Sequence, residues 1–171
     1  VIDLGGRRLT LLNLPGHTTE SVVLFDTNRN QVFAGDFVYR HLGGIITFAT
    51  RANLVAYKAN SARLLQLTNI DTQFFGAHGI PQFGRDWLMV LDRALDTMVN
   101  GNATYRYVAH YLAPGLPWRV QQSGDLSIYT TPLVDPHLFW SKWALLLMAT
   151  VSLLVFYSLF RIVRWSLTPV R

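Results

Sequence analysis

Three short motifs in the sequence place a histidine or an aspartate beside a glycine. They are PGHT at residues 15–18, GD at residues 35–36 and AHG at residues 77–79. Neutral imidazole and carboxylate groups are ligands that suit Zn²⁺, and the two oxygens of a carboxylate can bridge two metal ions. A metal held in this way lowers the pKa of a coordinated water and polarises the bond under attack. The motifs therefore indicate a candidate hydrolytic metal site.

Each motif taken alone also has a purely structural explanation. Pro-Gly is a common turn, an aspartate after glycine at a strand end often caps the next segment, and a lone histidine is usually a structural residue. His17, Asp36 and His78 are separated by 19 and 42 residues, too far for one helix face. They can form one site only where a sheet brings several strand ends together.

Apolar periodicity predicts the elements that would position the motifs. Short apolar runs predict strands over residues 9–14, 21–26, 31–34 and 72–76. Apolar residues at helical spacing predict helices over residues 54–67 and 85–100, with Gly101 at the end of the second. Weaker strand signals follow at residues 105–108 and 126–129. This order of elements indicates mixed α and β layers.

Composition and charge exclude several classes of protein. The 171 residues are 50% hydrophobic and 15% charged, which excludes a disordered chain, and there is no cysteine for a disulfide scaffold or a thiol nucleophile. The net charge is +5, but residues 1–138 hold 11 of the 15 Lys and Arg residues and all ten acidic residues. Nucleic acid is therefore not expected as a partner.

An uncharged apolar run near the C-terminus predicts a membrane anchor. Residues 143–160 carry no charge and are bordered by aromatic residues, which is typical of a transmembrane helix. Lys142 precedes the run and three arginines follow it, so the positive-inside rule places the tail in the cytoplasm. We expect a single span in the lipid bilayer, with the rest of the chain periplasmic or extracytoplasmic.

The three motifs occur in an order that resembles a known family. The stretch LTLLNLPGHTTESVVLFDTNRNQVFAGDFVY, followed by a helix and FFGAHG, is similar to the C-terminal half of the metallo-β-lactamase superfamily. The resemblance covers about residues 1–101. It implies an α+β fold, the second half of an αβ/βα sandwich. It also implies that His17 is the third histidine of a first zinc site, Asp36 the bridging carboxylate and His78 the last histidine of a second site.

One part of the family pattern is missing. The motif His-x-His-x-Asp-His, which supplies four further ligands for two Zn²⁺ ions, is absent from this sequence. The chain then offers three ligands where a complete dinuclear site needs seven. We therefore interpret it as part of a longer protein whose N-terminal half is the missing partner, and we expect little activity from this chain alone.

The resemblance and the apolar run together divide the chain into segments. The resemblance implies a half-domain over residues 1–112, and the apolar run with its flanks predicts a transmembrane helix over 139–165. We expect a juxtamembrane connector over 113–138 and a cytoplasmic tail over 166–171.

Tyr39, three residues after Asp36, is a candidate catalytic residue. Some lactonases of the superfamily carry a tyrosine at this position that helps to stabilise the tetrahedral intermediate, and a phenol can donate to a developing oxyanion. The alternative, which we favour because aromatic side chains mostly pack, is a structural role at a strand end. Thr18 is either a support for the His17 ring or a turn residue.

The sequence as a whole indicates a membrane-anchored, zinc-dependent hydrolase of this superfamily, with Asp36 and Tyr39 as catalytic residues. Its substrate would be a small molecule with an ester-like, thioester, lactam or phosphoester bond. The alternative is a non-catalytic, membrane-tethered scaffold or subunit that retains the half-domain. A chance match to the motifs is a third possibility.

Overall fold

The structure, a computed structural model, describes residues 1–47, 51–110, 118–134, 146 and 149–157. Residues 1–136 form one compact unit and residues 137–171 a second one. The named elements all belong to the first unit. In chain order they are β1 (Ile2–Asp3), β2 (Arg8–Asn13), β3 (Val22–Asp26), β4 (Gln31–Gly35), β5 (Ile45–Ile46), α1 (Leu54–Leu67), β6 (Gln73–Gly76), β7 (Phe83–Gly84), α2 (Arg85–Val99), β8 (Tyr105–Val108), β9 (Trp118–Ser123), β10 (Leu126–Thr130) and a short 3-10 helix (Pro132–Val134).

A six-stranded sheet forms the centre of the first unit. Its strand order is β1-β2-β3-β4-β6-β7, and all neighbours are antiparallel except β4 and β6. The parallel pair requires a crossover, and α1 lies in the connection between these two strands, as expected for parallel neighbours. Four of these strands and both helices occur where the sequence predicts them, so the mixed α/β architecture is confirmed.

A second sheet contains four strands in the order β5-β10-β9-β8. Strand β5 runs parallel to β10, and the other neighbours are antiparallel. The sequence signals for β8 and β10 are confirmed, whereas β5 and β9 were not predicted. Both β9 and β10 fall within the segment that the sequence assigned to a connector.

The core is one buried cluster with members from the six-stranded sheet, from both helices and from the second sheet. Alternate strand residues such as Val23, Val32 and Phe74 are fully buried, and they belong to one cluster with Leu64 of α1 and Leu91 of α2. The apolar face predicted for α2 is confirmed. The face predicted for α1 is only partly right because Leu67 is exposed.

The predicted transmembrane helix is wrong. Within the described residues, no helix is long and apolar enough to cross a membrane. Of the predicted span over residues 139–165, positions 146 and 149–157 are described, and they are helical. The remaining positions of the predicted span, and the predicted cytoplasmic tail, lie outside the described residues.

The localisation inferred from that helix is corrected with it. A single C-terminal span was the sole basis for placing the chain at a membrane with an extracytoplasmic domain.

Candidate metal centre

Strand direction brings the three motifs to one edge of the six-stranded sheet. Strand β3 is antiparallel to both β2 and β4, and β4 is parallel to β6. Strands β2, β4 and β6 therefore run the same way and end at the same edge. His17, Asp36 and His78 each follow the end of one of these strands.

Backbone contacts hold the second and third motifs side by side. Gly35 pairs with Gly76 across the parallel strands, and the Ala77 N–H donates to the Gly35 carbonyl over 3.0 Å. Beyond the strands, the Ile80 N–H donates to the Arg40 carbonyl over 2.8 Å. The loops that carry Asp36 and His78 are thus connected at several points.

Asp36 and His78 are in direct contact. The distance from Asp36 Oδ1 to His78 Nε2 is 3.0 Å, and each side chain is about half exposed. The Tyr39 ring stands edge-on to His78, with 5.0 Å between ring centroids, and edge-on to His17 at 6.5 Å. Tyr39 therefore lies beside both imidazoles.

His17 is the most buried of the three candidate ligands. Burial is the largest influence on its imidazole and lowers the pKa; Asp36 acts in the opposite direction, and His78 lowers it further. The ring is thus held in the neutral form that metals bind. Its Nδ1 is buried and has no hydrogen-bond partner among the described residues.

Two of the three candidate residues are in direct contact, and the third lies nearby. Across the described part of the chain, no group of three or more His, Cys, Asp or Glu side chains is arranged to hold a metal ion. What the structure brings together is the Asp36–His78 pair, with the His17 imidazole close enough for both partners to affect its pKa. The donor types and the unpaired Nδ1 atom fit a metal that takes nitrogen and oxygen ligands.

The glycines of the PGHT and AHG motifs have steric explanations. Gly79 has a φ of +75°, and a Cβ there would lie 2.2 Å from the Arg40 carbonyl oxygen. A Cβ at Gly16 would lie 2.4 Å from Tyr57 Cα. Glycine is needed at both positions because backbone and helix approach so closely.

Thr18 is a turn residue rather than a support for His17. Its N–H donates to Ser21 Oγ over 3.0 Å, and the two hydroxyl oxygens are 3.1 Å apart. This local contact closes the turn between β2 and β3. These contacts support the interpretation of Thr18 as a turn residue.

Two open clefts border these residues. The smaller one, of about 410 Å³, is lined by Tyr39, His41, Gly43, Gly44, Ile46, His78, Gly79 and His110. The larger one, of about 590 Å³, shares His41 and Gly79 with it and extends past Arg40, Leu42, Ile80 and Trp87. His78 therefore borders a cleft that contains two further histidines, and a partly apolar cleft adjoins that one.

Two buried side chains near the site, Trp87 and His110, make contacts that the sequence did not predict. The buried Trp87 donates from Nε1 to the Tyr39 carbonyl over 3.0 Å, and its ring lies 5.0 Å from the Arg40 guanidinium. His110 is buried and packs beside Trp118 and Tyr129. None of these residues has a motif around it, and no signal in the sequence could have found them.

Comparison with known proteins gives sequence relatives but no matching family model. The acyl-coenzyme A thioesterases MBLAC2 of Homo sapiens and Bos taurus are each 36% identical over 69 residues, and the match covers 40% of this chain and 24% of theirs. The chain thus aligns with about a quarter of the length of these curated relatives.

Solved structures with a related arrangement include a metallo-β-lactamase from Pontibacter korlensis, with 23% identity, a TM-score of 0.47 and coverage of 56% of this chain and 44% of that one. ETHE1 from Myxococcus xanthus has 18% identity, a TM-score of 0.46 and coverage of 60% and 50%. The metallo-β-lactamase FIM-1 from Pseudomonas aeruginosa, in a mono-zinc form, has 20% identity, a TM-score of 0.43 and coverage of 57% and 45%.

The fold and the site define a mixed α/β protein with a histidine and carboxylate centre at the ends of parallel strands. The curated relatives are acyl-coenzyme A thioesterases, and this chain is similar to each of them over 69 residues.

Proposed function

We propose that this chain is part of a zinc-dependent hydrolase of the metallo-β-lactamase superfamily, and that His17, Asp36 and His78 are metal ligands. The observation that carries the proposal is the meeting of three motifs at one sheet edge, with Asp36 and His78 3.0 Å apart. Three distant residues of the right chemical types would rarely meet at strand ends without a shared role.

Each residue of the site has a distinct task in this proposal. A bound metal would supply Lewis-acid chemistry, polarising the bond that is cleaved. His17 offers a neutral imidazole, and Asp36 offers a carboxylate that also neutralises positive charge. The Tyr39 hydroxyl accepts a hydrogen bond from the Ile46 N–H over 3.3 Å and borders the smaller cleft. From there its proton can be donated to a developing oxyanion.

The proposed substrate class is a thioester or a related ester of a small molecule. Support comes from the thioesterase named among the relatives, which matches this chain over 69 residues. The larger cleft is compatible with such a substrate because it combines the Arg40 cation with the apolar side chains of Leu42 and Ile80. Hydrolysis of acyl-coenzyme A compounds and of simple oxygen esters should be compared first.

The remaining metal ligands would come from an N-terminal half with the motif His-x-His-x-Asp-His. A feature of the six-stranded sheet supports the proposal that an N-terminal half packs against it. Leu11, Leu24, Phe33 and Phe75 are register neighbours on four adjacent strands, on the face opposite to buried Val32 and Phe74. Leu11 is 47% exposed. An apolar row of this kind is typical of a sheet face that another layer covers.

The metal content of purified variants tests the proposed ligands. The protein should be made with all the sequence that its gene encodes, as wild type and as His17→Ala, Asp36→Ala and His78→Ala. We expect each variant to lose most of its zinc, because each removes a ligand. His41→Ala and Asp71→Ala are matched controls of the same residue types outside the proposed ligand set, and they should keep it.

The same experiment separates the hydrolase from the non-catalytic scaffold. Zinc content that is unchanged in all three ligand variants contradicts the metal site and favours a scaffold. Zinc lost together with thioester hydrolysis supports the hydrolase. Zinc bound without hydrolysis of any ester or thioester leaves the metal site standing but removes the proposed substrate class.

A further inference from the structure

Helix α1 holds the loops of His17 and Asp36 from one side. The Asn53 N–H, at the start of the helix, donates to the Gly16 carbonyl over 2.9 Å. One turn further, the Tyr57 hydroxyl donates to the Phe37 carbonyl. Asn60 Nδ2 then donates to the Pro15 carbonyl over 2.7 Å. One face of the helix therefore binds the backbone just before His17 and just after Asp36.

Tyr57 is the central residue of this face. Its side chain is fully buried, and its ring stands edge-on to the rings of Phe37, at 5.1 Å, and His17, at 6.4 Å. Gly16 packs against its backbone so closely that no Cβ could be placed between them. Tyr57 is thus in contact with both loops at once.

The hydroxyl of Tyr57 has a function that its ring alone could not supply. Its acceptor is the carbonyl of Phe37, the residue after the proposed bridging ligand. The Tyr57 side chain is fully buried, so this hydrogen bond is shielded from solvent. Without it, a loop carbonyl would lose its partner, and the Asp36 loop would lose its link to α1.

We propose that Tyr57 and Asn60 are positioning residues that set the spacing between His17 and Asp36. The inference rests on the proposed metal site, since positioning matters most where two ligands must reach one ion. It goes further, because it assigns a role to residues that contact only the backbone of the ligand loops. Residues that orient metal ligands commonly change metal affinity by 10–100-fold when they are replaced.

The test compares four variants of the protein with all its encoded sequence. Tyr57→Phe removes one hydroxyl and keeps the ring, and Asn60→Ala removes the second hydrogen bond. Ser61→Ala is the matched control within α1, because its buried hydroxyl bonds to Asp92 over 2.6 Å and not to a loop. Tyr107→Phe is the matched control for loss of a phenol, since Tyr107 is exposed.

Two readouts are needed besides thermal stability. The first is Zn²⁺ affinity, measured by competition with a chromophoric chelator. The second is the set of imidazole resonances of His17 and His78 in metal-free protein, assigned by the His→Ala variants. We expect Tyr57→Phe and Asn60→Ala to weaken Zn²⁺ binding about tenfold and to shift the His17 resonances. Ser61→Ala should lower the melting temperature without either effect.

The outcomes distinguish this inference from the proposed function. If the wild type binds Zn²⁺ and both loop variants bind it equally well, the positioning role is wrong while the metal site stands. If the wild type binds no Zn²⁺, the proposed function fails, and the metal-free resonances decide the positioning role. Unchanged His17 resonances in both variants overturn it, and shifted ones support it. Should Tyr57→Phe fail to fold, Asn60→Ala carries the same comparison.

Discussion

The backbone conformation of Gly79 helps to place His78, a proposed metal ligand. It follows His78 directly and has a φ of +75°, in the left-handed region that favours glycine. The Arg40 carbonyl and the backbone of His41 occupy the space that a side chain would need. This close contact fixes the AHG loop against the loop that follows Tyr39. The position of His78 therefore depends on the absence of a side chain at Gly79.

The substitution Gly79→Ala tests this dependence, with Gly5→Ala as its control. Gly5 has nearly the same φ, +72°, but open space around its Cβ position. We expect about 1 kcal/mol of destabilisation from Gly5→Ala, from backbone strain alone. Gly79→Ala should cost about 2–4 kcal/mol because a steric clash adds to the strain. Urea unfolding measures both, and equal losses would show that the close contact is unimportant.

The hairpin formed by β3 and β4 depends on a buried carboxylate. Asp26 is fully buried at the end of β3 and accepts from Arg7 Nε over 2.6 Å. Its other oxygen accepts from the N–H groups of Asn28 and Arg29, which closes the turn. Burial by itself raises the pKa of Asp26, but the Arg7 hydrogen bond, the turn N–H groups and the two arginine charges together hold it below its ordinary value.

This depressed pKa predicts a loss of stability in acid. The ionised carboxylate stabilises the fold fully above the pKa of an unfolded aspartate, about 3.9, and this contribution disappears as the pH falls through the lower pKa of the folded state. The difference in free energy of unfolding between wild type and Asp26→Asn should therefore be largest near neutral pH and shrink below about pH 4. A constant difference from pH 7 to pH 2.5 would contradict the assignment.

Helix α2 contributes to the fold through one apolar face. Leu88, Leu91, Leu95 and Met98 lie on that face and are buried. We expect Leu91→Ala to cost about 2–5 kcal/mol in free energy of unfolding, because it opens a cavity in the core. Leu67→Ala on α1 is the control, since Leu67 is 46% exposed, and it should cost less than about 1 kcal/mol. Similar costs at the two positions would mean that Leu91 is not in the core.

For the whole molecule, the candidate metal centre joins three strand ends that are distant in sequence. A metal that binds there binds only the folded chain, so it should raise the melting temperature. At a free Zn²⁺ concentration 100 times the dissociation constant, the gain is about 2.7 kcal/mol. Thermal unfolding with and without Zn²⁺ measures it. The gain in melting temperature should vanish in Asp36→Ala. The control variant Asp71→Ala should keep it, and a gain of equal size in both variants would indicate that Zn²⁺ binds elsewhere.

The local secondary structure was predictable from the sequence. Alternating apolar residues in β2, β3 and β4, and the spacing of Leu88, Leu91 and Leu95 in α2, depend only on near neighbours in the chain. The residues of the PGHT, GD and AHG motifs were likewise recognised from their types and order, together with the superfamily that they resemble. The apolar run near the C-terminus is the counterexample, since its composition predicted a spanning helix that the described residues do not contain.

Only the tertiary structure decided which distant residues meet. Pairing of β4 with β6 places Asp36 against His78, and packing of α1 under two loops gives Tyr57 and Asn60 their contacts. The short strand β5 joins β10 across more than 80 residues of chain, and His110 reaches the cleft from the end of β8. Such contacts depend on strand direction, register and helix packing, which arise between segments and leave no periodic pattern within any one of them.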